Sequence, residues 1–170
     1  MKAFFAILSA MLMCLSFSAC KGQNSNSKEV NQAQIETKNE PLDFTKTLDE
    51  IYKDCEIYGV SSATDEDMEE IFGFDLSKIE EYAVRFSSKN YGLADVFIIK
   101  PKEEFEQDVF EALLKIKDNR TMEFENYIIY DSLSIAKHAE IYSRGDYLIM
   151  IMIKDSENAK EIINSFIDKN

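Results

Sequence analysis

The sequence predicts an α+β domain: an antiparallel sheet built from two hairpins, with helices packed mainly on one of its faces, in the order αα-ββ-α-ββ-α. Three observations predict it. Residues 82–99 and 138–153 each hold a pair of strand-like runs around a turn-rich break, the pattern of a hairpin. Each is followed by a segment whose apolar residues recur at helical spacing. Nothing in the chain repeats at a solenoid period, so one layered core is expected.

The first helix is expected over Phe44 to Cys55, because Phe44, Leu48, Ile51, Tyr52 and Cys55 share one helix face. A second, shorter helix follows Thr64-Asp65-Glu66-Asp67, which resembles a capping box with Thr64 as N-cap and Asp67 reaching back. Gly73 ends it. From Tyr82 the period becomes two: Tyr82, Val84 and Phe86 alternate with Ala83, Arg85 and Ser87. The turn-rich stretch Ser87 to Gly92 then leads to a partner strand over Leu93 to Ile99.

Pro101 suits the first turn of the next helix, and Glu103, Glu104 and Glu106 complement its positive end. Phe105, Val109, Phe110, Leu113 and Leu114 form its buried stripe, and its end falls between Lys117 and Glu125. Residues 119–137 contain the one stretch where the pattern does not choose, Tyr127 to Leu133 reading equally as an irregular crossing or a short helix. His138 to Ser143 and Tyr147 to Ile153 form the second hairpin around Arg144-Gly145-Asp146. Its second run does not alternate, which indicates a central strand covered on both faces. Asp155 or Ser156 caps a last helix whose Ala159, Ile162, Ile163, Phe166 and Ile167 share a face.

Ahead of this domain, assigned to residues 44–170, the chain reads as an export signal and a tether. Lys2 precedes an almost unbroken apolar run from Ala3 to Phe17, too short for a bilayer span and followed by no stop-transfer pattern. Phe17-Ser18-Ala19-Cys20 looks like a lipobox, so residues 1–19 are expected to be removed and Cys20 to carry a diacylglycerol. Two or three acyl chains hold a protein stably on a membrane. Residues 20–43 comprise the lipidated cysteine and a polar stretch without apolar periodicity, expected to be a disordered spacer. About 22 residues of such chain reach roughly 25 Å. The expected location is the outer face of the bacterial cell membrane.

Charge and cysteine count narrow the function. A formal net charge of −13 repels phosphate, so a nucleic-acid partner is not expected. Of the cysteines, Cys14 leaves with the signal and Cys20 takes the lipid, so Cys55 alone remains and reads as a small buried apolar residue. His138 is the only histidine and sits at the start of a strand on the face of Glu140 and Tyr142, without further ligands for zinc. The acidic run Asp65, Glu66, Asp67, Glu69 and Glu70 lacks the alternation and central glycine of a calcium loop. No catalytic, cofactor-binding or metal-ligating set is therefore assigned.

Glu81 and Asp95 are candidates for paired carboxylates across the first hairpin, a geometry that serves acid and base roles. Charged residues on an exposed sheet face are the stronger account of them, since no glycine-rich or aromatic substrate platform lies beside them. Arg144-Gly145-Asp146 is read as a hairpin turn, and Asn119-Arg120-Thr121 matches a glycosylation sequon by composition alone.

With Ile79-Glu80-Glu81-Tyr82-Ala83-Val84, Leu93-Ala94-Asp95-Val96-Phe97-Ile98-Ile99-Lys100 and Arg144-Gly145-Asp146-Tyr147-Leu148-Ile149-Met150 in place, the domain resembles a family of bacterial lipoproteins, domain of unknown function forty-three fifty-eight. The resemblance spans roughly residues 68–168 and implies an exported lipoprotein with a compact α+β domain. It transfers no catalytic residue.

The expected function is a lipid-anchored, non-catalytic binding or assembly module of the cell envelope, its partner an envelope protein or ligand. The alternative is a small envelope enzyme using carboxylate acid/base chemistry. If the domain binds, Tyr91, Tyr127, Tyr130 and Tyr142 are the candidate contact residues, since amphipathic rings in turns and on strand faces anchor partners.

Overall fold

A computed structural model describes residues 42–126, 129 and 131–170. The signal, Cys20 and nearly all of the spacer lie outside the described residues, as do Tyr127 and Tyr130. The elements run α1 (Thr45–Ile51), β1 (Val60–Ser62), a π-helical turn (Asp67–Ile71), β2 (Ile79–Ser87), β3 (Asp95–Pro101), α2 (Glu106–Glu125), α3 (Ser132–Lys137), β4 (Glu140–Arg144), β5 (Tyr147–Met152) and α4 (Ser156–Ile167). The α+β class and both antiparallel hairpins stand.

The sheet order is β1-β2-β3-β5-β4, with every neighbouring pair antiparallel. The two hairpins are thus joined through their second strands, which places β3 and β5 at the centre. Val96 to Ile99 and Leu148 to Met152 are buried on both sides of the pleat. That accounts for the run over Leu148 to Ile153 that does not alternate.

Helices cover both faces rather than mainly one. Phe97, Ile99, Met150 and Met152 point toward α2, α3 and the π turn, packing with Met68, Leu113, Ile116, Phe124 and Ala136. Val96, Ile98, Ile149 and Ile151 point the other way and pack with Phe44, Leu48 and Ile51 of α1 and Ala159 and Ile163 of α4. An apolar residue at every position of a central strand leaves two faces to keep from water, and each such side chain is worth about 1.5–3 kcal/mol when buried. α1 and α4 serve the second face, with Phe44 edge-on to Phe166 and Tyr147.

Local chemistry sets the connections. Thr64 and Asp67 form the expected capping box: the Asp67 carboxylate accepts from the Thr64 amide at 2.8 Å, and the Thr64 hydroxyl accepts from the Asp67 amide at 3.2 Å. The Thr64 amide and hydroxyl hold the Asp67 carboxyl below its usual range. The turn is π-helical, the Phe72 amide donating to the Asp67 carbonyl. Gly73, at φ 72°, then lets the Phe74 amide reach back to the Met68 carbonyl.

Several elements depart from expectation. β1, three residues of an edge strand, carries too short a pattern to register in sequence. α1 ends at Ile51, so Cys55 lies beyond the helix and is half-buried. Pro101 closes β3 opposite Ile79, where its missing amide is harmless at the strand's end, and a 3₁₀ turn over Glu103–Phe105 leads into α2. His138 follows α3 instead of opening a strand, its Nδ1 2.8 Å from the Ser134 carbonyl.

Candidate functional site

One end of the sheet carries a cleft of about 570 Å³. Ile51 and Cys55 at the end of α1, Ile57 in the following loop, Leu93 ahead of β3, Ile135 of α3 and Ile153 after β5 give it an apolar lining. Glu50, Asp54, Glu56, Asp131 and Asp155 bring carboxylates to it from α1, the following loop, and the starts of α3 and α4; Lys154 is the one cation among the described lining residues. The cleft exists because α1 and α4 cover one face and α3 the other, and the three stop short of one another at this corner.

Behind the cleft wall lies a buried polar knot. Asp95, the first residue of β3, is 0% exposed. Its carboxylate accepts from the Ser87 amide at 2.9 Å and from Arg120 Nε at 2.8 Å. Arg120 Nη1 donates to Glu123 at 2.8 Å and Nη2 to the Ser87 carbonyl at 3.3 Å. The Ser87 hydroxyl donates to the Gly92 carbonyl and accepts from the Ala94 amide, both at 2.8 Å. The Leu93 amide donates to the Ser132 hydroxyl at 3.0 Å. These bonds tie the end of β2, the start of β3, α2 and α3 together, and they seat Leu93 and Ser132, both of which line the cleft.

Burial pushes the Asp95 carboxyl above its ordinary value, against the pull of Arg120 and the Ser87 donors. Burial works against the Arg120 charge, but Asp95 and Glu123 outweigh it and hold the guanidinium above its usual value. Among the described residues, no buried side-chain nitrogen or oxygen lacks a hydrogen-bond partner. A satisfied knot of this kind fixes geometry. Tyr52 adds a strut from α1, its hydroxyl 3.0 Å from both the Arg85 and Ala94 carbonyls.

Glu81 and Asp95 are not brought together. Glu81 pairs with Lys100 near one end of the hairpin, whereas Asp95 lies at the other end and bonds Ser87. They also point to opposite faces, Glu81 accepting from the Tyr147 hydroxyl and Asp95 meeting α2. The exposed-face reading of Asp95 fails with its burial. Asn119-Arg120-Thr121 lies inside α2, with Arg120 committed to the knot.

The candidate contact tyrosines that are described lie near opposite edges of the sheet. Tyr91 is 49% exposed and covers Gly59, just before β1. Tyr142 lies on β4, donating to Asn164 at 3.3 Å, with Lys160 over its ring. Burial pushes the Tyr142 hydroxyl up to about 12. Four strand spacings separate those edges, roughly 19 Å. Tyr91 lies two residues before Leu93, which lines the cleft.

Sequence reasoning missed Arg120, although two signals were present. Asp95 heads a strand whose next four residues, Val96 to Ile99, are all apolar, and Arg120 falls on the stripe of Val109, Leu113, Ile116 and Phe124. Each is an isolated charge on a buried face, and such charges are retained when paired.

The family model described as Domain of unknown function (DUF4358) matches residues 53–153. Among curated proteins and solved structures nothing matches. The matched span takes in the sheet, α2, α3, both sides of the buried knot and most of the cleft lining, and on that span the chain belongs to the DUF4358 family.

Proposed function

We propose that this chain is a lipoprotein, anchored through Cys20 on the outer face of the bacterial cell membrane, whose domain binds a ligand in the cleft between α1, α3 and α4. The cleft carries the binding half of the reading. Its volume falls within the roughly 300–1,000 Å³ typical of ligand sites, and it combines an apolar lining with a few polar groups at defined places. The knot behind it holds Leu93 and Ser132 in position without a ligand, which lowers the ordering cost of binding. The lipobox pattern over residues 17–20 supports the anchored half.

The test is native mass spectrometry of the protein purified from its host membranes, alongside variants that fill the cleft. Wild type should carry an additional small-molecule mass. Ile57→Trp, and Asn158→Trp at an exposed lining position on α4, should lose it while melting within a few degrees of wild type. The same adduct on wild type and both variants, or none on wild type, contradicts the reading.

A further inference from the structure

We infer that the ligand of this cleft is an organic cation of small-molecule size, a protonated amine or guanidine carried on an aliphatic body; the inference rests on the cleft being the binding surface. The lining divides into two chemistries. Among the described lining residues, Ile51, Ile57, Leu93, Ile135 and Ile153 offer hydrocarbon and no aromatic ring, which suits an aliphatic chain. Around them stand five carboxylates and one lysine, so the cleft carries a strong excess of one sign.

The carboxylates are not equivalent. Asp155 caps α4, accepting from the Asn158 amide at 3.4 Å, and Glu50 lies 3.8 Å from Lys53 in an exposed pair. Asp54, Glu56 and Asp131 form no ion pair among the described residues. Eight of the lysines and arginines elsewhere in the described residues are committed to carboxylates, among them Arg85 to Asp49 and Arg144 to Asp168. Three unpaired carboxylates around a concave apolar surface focus a negative potential that a mobile cation would neutralise.

An anion would meet the carboxylates, and a neutral chain would gain the hydrocarbon contact without the charge. A cation on a chain gains both. The cleft is also local, a single corner bounded by three short helix ends, which fits a compact ligand better than an extended basic peptide.

The probes are hexylamine, hexanoate and hexanol, matched in chain length, with an octapeptide of alternating lysine and leucine as a fourth arm. They are titrated into the chain carrying Cys20→Ser, recovered in soluble form, and followed through isoleucine methyl NMR. Hexylamine should shift Ile51, Ile57, Ile135 and Ile153 and bind at least tenfold tighter than hexanoate or hexanol. It should also slow alkylation of Cys55, which lines the same cleft. Asp54→Asn with Glu56→Gln should weaken hexylamine several-fold and leave hexanol unchanged.

Equal binding of hexylamine, hexanoate and hexanol at these isoleucines overturns the cationic class and leaves the cleft reading standing. Tighter binding of the peptide than of hexylamine overturns the small-molecule class. No shift at these isoleucines with any probe overturns the cationic class and counts against the cleft itself.

Discussion

Asp95 and Arg120 are the residues on which the candidate site is built, and neither touches the cleft. Removing the guanidinium leaves a carboxylate at 0% exposure without its counter-charge, the situation that costs about 3–5 kcal/mol in buried pairs. Arg120→Ala should lose stability on that scale in urea unfolding, and Arg120→Lys should recover only part of it, because a point charge does not reproduce the fork that reaches Asp95, Glu123 and Ser87. The pH dependence has a definite sign. Burial raises the folded-state value of Asp95 above its ordinary 3.8, so the folded state binds more protons than the unfolded one just above that pH. The Asp95 contribution to stability is present below 3.8 and is lost as pH rises through the raised value. The stability advantage of wild type over Asp95→Asn should therefore be larger near pH 4 than near pH 7; an advantage that grows with pH contradicts the direction assigned to Asp95.

α1 and α4 show what an element contributes beyond its own helicity. Both lie outside the matched span of residues 53–153, yet Phe44, Leu48, Ile51, Ala159 and Ile163 cover Val96, Ile98, Ile149 and Ile151. A fragment of residues 53–153 would expose that whole face of β3 and β5, an apolar patch larger than soluble domains carry. Such a fragment should associate and melt without a cooperative transition, whereas residues 42–170 should melt as one unit. Calorimetry with sedimentation decides it, and a monomeric, cooperatively melting fragment contradicts the two-face account. α4 was legible in the sequence because its stripe is amphipathic and Asp155 caps it; α1 was legible through Phe44, Leu48 and Ile51 but not in its extent, since Tyr52 leaves the helix to bond the carbonyls of Arg85 in β2 and of Ala94 just ahead of β3. β1 and α3, at three and six residues, are too short for a period of two or 3.6 to recur along them.

At the scale of the whole molecule, the sequence conveys a class and an order more readily than a site. Hairpins and helices follow from patterns of period two and 3.6 that each segment carries by itself. The cleft follows from where three helix ends stop, which no segment records, and the knot from a pairing between residues 25 positions apart. The helices divided between faces follow from β3 and β5 being central, which depends on the hairpins meeting through their second strands. The proposed anchor rests on Lys2, the apolar run from Ala3 to Phe17 and residues 17–20, and it has its own check. Cys20→Ala should abolish incorporation of a fatty-acid label and release the protein from the membrane fraction; a variant that still labels and still sediments with membranes contradicts lipidation at Cys20.

The central claim is that the corner between α1, α3 and α4 is where this protein meets its ligand. Methyl-resolved NMR of the Cys20→Ser chain against a mixed library of small cations, anions and neutral fragments tests it most directly. The account predicts that the strongest binders shift Ile51, Ile57, Leu93, Ile135 and Ile153 together and leave Ile79 and Ile141 unmoved. Binders that instead shift Leu148 beside Glu80, Lys100 and Tyr147, or a library without a single shift at the corner, would contradict it.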